Sequence, residues 1–378
     1  MTRRLASGPT LGSLPLSVLT SALALLVAFP AGALTIRVPS QAPTIQAGIN
    51  IAGPGDSVVV APGTYFENLT MRSNITLTGE STPDATIIDG RLLAPVVSCE
   101  SVVGFTLSRL TIARGYNAAY PGGAGIAMNF SNGTIVDCIL RDSIVGRDGG
   151  GISVVDSQAH LERCEIRRNT ALNGFDGGGV FTYRASVTIL DCTIAENQAD
   201  EGAGIAVSNQ SNAVIRNCLI RRNTSSNIGL AGGALIIVNS TGQVENNTMV
   251  ENFTPPSSYS VAFFNSSPSF TRNIVALASG HGLSCGGVSI TCNDVWGSGG
   301  NNYTGCTPHP SNFSSDPLFC NLALLDFTLD ENSPCAPDHS PAGCGLIGAF
   351  DVACGVTPVT AGTWGQVKTR FLPTQRPK

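Results

Sequence analysis

Apolar and polar residues alternate in short, β-branched runs along most of the chain, as in Gly151-Ile152-Ser153-Val154-Val155 and Ala185-Ser186-Val187-Thr188-Ile189-Leu190. Runs this short and this regular predict strands rather than helices. They also recur. Cys164-Glu165-Ile166-Arg167-Arg168-Asn169 aligns with Cys192-Thr193-Ile194-Ala195-Glu196-Asn197 and with Cys218-Leu219-Ile220-Arg221-Arg222-Asn223. Weaker copies start at Leu110, Cys138, Asn247 and Asn273, and successive starts lie 26 to 29 residues apart. A glycine marker keeps the same beat: Gly123-Ala124-Gly125, Gly149-Gly150-Gly151, Gly177-Gly178-Gly179, Gly202-Ala203-Gly204 and Gly232-Gly233-Ala234.

A lone unit of this size cannot bury its inward face, whereas a chain that coils so that each unit stacks on the last buries it continuously. Successive turns then lie ~4.8 Å apart, the spacing of neighbouring strands, and equivalent residues form columns. Asn169, Asn197, Asn223 and Asn252 become an amide ladder at a bend. Cys138, Cys164, Cys192 and Cys218 become an inner column of free, buried thiols rather than neighbouring disulfides. Four places after each anchor stand Arg114, Asp142, Arg168, Glu196, Arg222 and Glu251. Their signs alternate throughout, as in a structural ladder of cross-turn ion pairs worth roughly 0.2–1 kcal/mol each.

These xxCxIxxN and GGGI elements are joined by an opening segment that runs Pro43-Thr44-Ile45-Gln46-Ala47-Gly48-Ile49 and then Pro54-Gly55-Asp56-Ser57-Val58-Val59-Val60-Ala61-Pro62-Gly63-Thr64-Tyr65. Together they resemble right-handed parallel β-helix proteins of the pectin-lyase-like superfamily, of the secreted bacterial type. The resemblance spans about residues 35 to 350. It implies an all-β fold, a right-handed single-stranded parallel β-helix with an N-terminal cap and disulfide-rich C-terminal turns. Ile45, Ile49 and Ala52 have the spacing of an amphipathic helix over the first turn. Four regions are expected: a signal peptide (1–33), the capped β-helix (34–283), Cys-rich closing turns (284–354) and a C-terminal tail (355–378) serving as a sorting or attachment segment.

The address rests on Arg3 and Arg4, the apolar stretch from Leu14 to Phe29 and the small residues Ala31-Gly32-Ala33, the three parts of an export signal. No later segment is long and apolar enough for a membrane-spanning helix once that signal is cleaved. Seven of the 12 Cys fall late, at Cys285, Cys292, Cys306, Cys320, Cys335, Cys344 and Cys354. Their spacing has no CxxC zinc pattern, so disulfides are expected there rather than metal. Composition narrows the function classes. A net charge of −5 argues against nucleic acid as a partner. Lys368 and Lys378 are the only lysines, which leaves the body of the chain without a lysine base or phosphate ligand. Charged residues make up 12%, about half the usual ~25%, and Gly occupies 43 of 378 positions, as many tight turns require.

One column does not fit a purely structural role. Asp148, Asp176 and the pair Asp200-Glu201 stand immediately before the glycine marker on three successive turns. Like charges so close call for a cation, a raised pKa or full solvation. Asp before Gly-Gly is also a favourable turn residue, and that plain reading stays open. As chemistry, Asp148, Asp176 and Glu201 are the catalytic candidates, and Asp148, Asp176, Asp200 and Glu201 could share a Ca2+ ion through carboxylate oxygens. Carboxylates two turns apart would be ~9–10 Å apart, near the upper limit for an inverting glycosidase pair. Tyr116, Tyr120, Phe175 and Tyr183, with Arg147 and Arg184, lie beside the column as candidate substrate-binding residues. Gly280-His281-Gly282 resembles one polygalacturonase motif, but the companion motifs of that group are absent, and His160 reads as an ordinary outward strand residue.

The expectation drawn from all this is a secreted or cell-surface protein, monomeric, without a required cofactor. It would be non-catalytic and would present a polysaccharide-binding or adhesive surface to a polysaccharide or cell-envelope glycan. The alternative is a polysaccharide lyase or glycoside hydrolase working at Asp148, Asp176 and Glu201, with or without Ca2+. A third expectation is a purely structural envelope or fibre component, which differs from the first only in lacking a ligand.

Overall fold

Each turn of the chain makes three main bends. In one turn, Ile152–Val155, Gln158–Glu162, Glu165–Arg167 and the short Thr170–Ala171 follow one another, and a loop then climbs to Val180–Tyr183 to begin the next. The computed structural model describes residues 32–355 apart from 173, 230 and 308. The expected signal peptide, except its last two residues, and the tail beyond 355 lie outside the described residues.

Stacking converts these segments into parallel sheets. The first sheet has ten strands, from Leu69–Thr70 to Tyr303–Thr304, and the second has eleven, from Thr35–Val38 to Ile290–Thr291. The third has ten, from Gly63–Tyr65 to Asp294–Trp296, and a fourth of five two-residue strands runs from Tyr116–Asn117 to Thr224–Ser225. Pairing is in register, Leu161 opposite Ile189 and Ile189 opposite Ile215, so one column of apolar side chains points into the coil from every turn. That column is the core, and it is continuous from Ile36 to Val295. The right-handed parallel β-helix expected from the repeat is the observed architecture.

The bends explain the sequence ladders. Asn169 donates its amide to Asn197 Oδ1 at 3.1 Å, Asn197 to Asn223 at 3.0 Å and Asn223 to Asn252 at 3.0 Å, all four fully enclosed. Cys138, Cys164, Cys192 and Cys218 form the expected column of buried free thiols. From the next turn the same position is asparagine, and Asn247, Asn273 and Asn293 carry on as a second amide ladder. A left-handed backbone residue stands at each of the three bends of a turn, just before the inward Ser157, Cys164 and Asn169 in one turn (Asp156, Arg163 and Arg168, φ 47, 51 and 53°) and before Ala185, Cys192 and Asn197 in the next (Arg184, Asp191 and Glu196, φ 48, 53 and 59°).

The charged ladder is therefore one of three, and its pairing differs from strict alternation. Arg168 meets Asp142 at 2.8 Å and Arg222 meets Glu251 at 2.7 Å, but Arg114 turns to Asp89 and Glu196 to Arg221. The other two columns hold pairs that the sequence reading did not include, Arg163 with Asp137 and Arg184 with Asp156.

At the N-terminal end, the helix Ile45–Ile51 buries Ile45 and Ile49, with Ala52 at its end, over the first turn, and the Thr44 hydroxyl caps it by accepting from the Ala47 N–H. Toward the other end the Cys-rich region divides. Its first part continues the coil through Asp294–Trp296 and Tyr303–Thr304. Phe319–Asn321, Asp326–Asp330 and Val352–Cys354 then form a separate small sheet. This part lies back on the outward face of the third sheet, packing Phe327, Leu329 and Ile347 against Val250, Ile274 and Ala276. Three disulfides secure the region, Cys285–Cys306, Cys292–Cys344 and Cys320–Cys354. Cys335, the seventh late cysteine, stays free and buried, its thiol donating to Asp294 Oδ2.

Candidate functional site

The loops that climb from the fourth sheet to the first carry the acidic column. Each passes through a glycine in the left-handed region, Gly149 at φ 81° and Gly177 at φ 67°, where a Cβ on Gly177 would lie 2.6 Å from the Val180 carbonyl. The backbone fixes which acids stack. Gly149 N–H donates to the Asp176 carbonyl and Gly177 N–H to the Glu201 carbonyl, each at 3.0 Å, so Asp148, Asp176 and Glu201 form the column. Asp200 stands off it and its carboxylate accepts from the Ser226 hydroxyl at 2.9 Å. Glu201 accepts from the Asn227 amide at 2.6 Å, and Asp148 accepts from the Asp176 N–H at 2.9 Å.

Crowding and burial raise the affinity of these groups for protons. Burial first, and then repulsion from Glu201, Asp148 and Asp200, pushes the Asp176 carboxyl up to about 7. Burial also raises Asp148, against the pull of the Asp176 N–H and of Arg147. Glu201 rises through burial and the neighbouring Asp200, opposed by Asn227. Protons on so close a set are shared by the group as a whole.

Asp148 and Asp176 open into a cleft of about 290 Å³ on the outward face of the first sheet. Its floor includes the buried Val155 and Phe181, and Tyr120, Pro121, Arg147 and Tyr183 stand around it. Of the expected ligand-binding residues, Tyr120, Tyr183 and Arg147 are thus brought together with two of the three acids. Tyr120 is 62% exposed, its ring open to a ligand. The other three lie outside these walls. Tyr116 stands on the short fourth sheet. Phe175 packs on the small buried cluster of Ala124, Val145 and Ala171, under the Arg147 guanidinium at 5.6 Å. Arg184 stacks on Tyr183 from outside the cleft and is held by Asp156 at 2.5 and 2.7 Å. Val155, Phe181 and Ser208, which also line the cleft, were not singled out from sequence. The register that aligns Val155, Tyr183 and Ser208 across three strands is the signal that finds them.

Among the described residues, no three metal-ligating side chains surround a common point. The carboxylates of Asp148, Asp200 and Glu201 each accept one hydrogen bond from a different neighbour. His281 is engaged in the fold, with Nδ1 accepting from the Asn301 N–H at 2.7 Å and its ring against Tyr259. His160 lies on the outward face beside Glu162. Chemically, the cleft offers two aromatic faces, a guanidinium, and carboxyls that both donate and accept hydrogen bonds near neutrality. Such a set suits a ligand dense in hydroxyls.

No curated protein sequence matches the chain. Among solved structures, it is similar to the pectate lyase Pel9A, with 13% identity, a TM-score of 0.44 and coverage of 85% of this chain and 97% of that one. It is also similar to an alginate lyase from a Paenibacillus species (13% identity, TM-score 0.42, coverage 75% and 98%). A third is PfbA, a surface adhesin of Streptococcus pneumoniae (12% identity, TM-score 0.31, coverage 70% and 89%). Residues 96–303, more than half of the chain, match the family model described as the right handed beta helix region. With that match laid over the stacked, in-register turns, the chain belongs to the right-handed β-helix family.

Proposed function

We propose that this protein acts outside the cytoplasm and holds a polysaccharide in the cleft over the first sheet without turning it over. The observation that carries this reading is the convergence of Tyr120, Tyr183, Arg147, Asp148 and Asp176 around an apolar floor. Aromatic faces pack on the C–H faces of sugar rings, while the guanidinium and carboxyls bond the hydroxyls at the ring edges. The three disulfides support an extracytoplasmic site of action.

A second reading, glycoside hydrolysis, is favoured by one feature, the Asp176 carboxyl held near 7 beside a second acid. A proton retained at neutral pH is what a general acid needs. Asp148 and Asp176 sit on adjacent turns, whose backbones stack ~4.8 Å apart.

The test uses polygalacturonate and alginate as uronate polymers, with xylan and mannan as neutral ones. Binding is measured together with unsaturated products and new reducing ends, with Ca2+ and with chelator. The expected result is binding without products, weakened about tenfold (~1.4 kcal/mol) in Tyr120→Ala and in Asp148→Ala/Asp176→Ala. Product formation abolished in the double variant establishes the hydrolytic or lytic reading instead. If no polymer of the panel has its binding altered by either variant, the cleft is not the binding site.

A further inference from the structure

A second surface, around the bend between the first and second sheets, has features that the fold does not require. Two hollows of about 350 and 390 Å³ share Asn132, Gln158 and Ser186, which point outward at the start of successive strands of the second sheet. The facing wall of the first hollow is the left-handed column Phe130, Asp156 and Arg184. Farther along the same bend, Asn239, Thr241 and Asn265 line a third hollow of about 360 Å³. From Phe130 to Asn265 the trough crosses six turns, about 24 Å at the strand spacing.

Three features separate it from ordinary polar surface. Phe130 sits at φ 47° with 58% of its surface exposed. The bend imposes that backbone conformation at this position on successive turns, but the exposed phenyl ring it carries contributes nothing to the core, so folding does not account for the choice of an aromatic there. The fixed charges cancel, because Asp156 and Arg184 hold each other in a two-point pair, and the remaining polar wall groups are amides, hydroxyls and the His160 imidazole. The groups are also pre-ordered. Asn132 Oδ1 is fixed by the Gly104 N–H at 2.7 Å, the Arg184 guanidinium rests on Tyr183, and the Thr241 hydroxyl donates to Asn212 at 3.3 Å.

We propose that this trough is a second carbohydrate-binding site, for a linear, uncharged polysaccharide lying along the coil axis. Its sugars run in step with the turns, one ring stacks on Phe130, and hydroxyls bond to Asn132, Gln158 and Ser186. The site is separate from the cleft at Asp148 and Asp176 and does not depend on the reading given to that cleft. Its neutrality selects against uronate polymers, whose carboxylates would lose hydration there without gaining a cation.

The experiment is equilibrium binding of soluble xylan, mannan and polygalacturonate to the full chain and three variants. Phe130→Asn removes the ring with a residue the left-handed bend favours, Ser186→Arg obstructs the trough from an exposed position, and Tyr120→Ala alters only the cleft. Melting temperatures of the variants are read alongside, and Phe130→Asn should not lower its own. The expected result is that xylan or mannan binds, that Phe130→Asn and Ser186→Arg each weaken it tenfold or more, and that Tyr120→Ala leaves it unchanged. Absence of neutral-glycan binding overturns the proposal, as does binding insensitive to both trough variants or lost in Tyr120→Ala. Polygalacturonate binding that responds only to Tyr120→Ala reports on the cleft, so the two sites fail separately.

Discussion

Asp176 and Asp294 show how position within the coil decides what a carboxyl does. Both are pushed up to about 7, chiefly by burial, Asp176 between two other acids and Asp294 beneath the folded-back C-terminal segment. A carboxyl whose folded pKa lies above its ordinary value of 3.8 binds its proton more tightly in the folded state. The stability this provides is fully present below about pH 4 and is lost as the pH rises through 7, at about 1.4 kcal/mol per unit for each group. Thermal melts between pH 4 and 8 should therefore fall with rising pH. Asp176→Asn should flatten that slope and raise the melting temperature at pH 8 relative to the unaltered protein. An unchanged slope contradicts the environment assigned to Asp176. The sequence singled out Asp176, because an acid before each glycine marker is visible as a column. It did not single out Asp294. That residue occupies the outward row that Glu165 and Thr193 also occupy, and it is enclosed only because Cys335 and its neighbours return over it.

At the scale of the bends, the buried amide ladder and the surface ion pairs look alike in sequence and differ in energy. Asn197 accepts from both the backbone and side-chain N–H groups of Asn169 and donates to the Ile166 carbonyl and to Asn223. Asn197→Ala leaves the enclosed Asn169 N–H without a partner and should cost about 3 kcal/mol. Arg222→Ala removes a half-exposed pair with Glu251 and should cost under ~1 kcal/mol. Urea midpoints of the two variants measure the contrast, and equal costs contradict it. The repeat made the amide ladder legible, since Asn169, Asn197 and Asn223 close hexapeptides that share the pattern Cys-x-Ile-x-x-Asn. Three left-handed columns per turn were not legible. Glycine and asparagine advertise that conformation, whereas here Arg163, Arg168, Arg184 and Glu196 adopt it, held by stacking on the turns above and below.

For the whole molecule, one repeat pattern sets the core, the register and the proximity of residues some 26 to 29 positions apart. The sequence therefore contained most of the coil and part of the cleft: Asp148, Asp176, Tyr120, Tyr183 and Arg147 meet because their turns are neighbours. The remainder depended on side-chain direction at the bends, which turns Arg184 toward Asp156 and sets Phe175 onto the alanines, and a column count does not contain it. The path of residues 319–354 was illegible for a similar reason, as nothing in that stretch repeats. The central claim is that the coil holds an intact glycan over the first sheet. The most direct measurement is the structure of the protein with a saturating oligosaccharide drawn from a polymer whose binding Tyr120→Ala weakens. The account predicts an uncleaved chain with sugar rings against Tyr120 and Tyr183 and hydroxyls bonded to Asp148, Asp176 and Arg147. A cleaved product in that cleft, or a cleft left empty while the oligosaccharide is bound elsewhere, contradicts it.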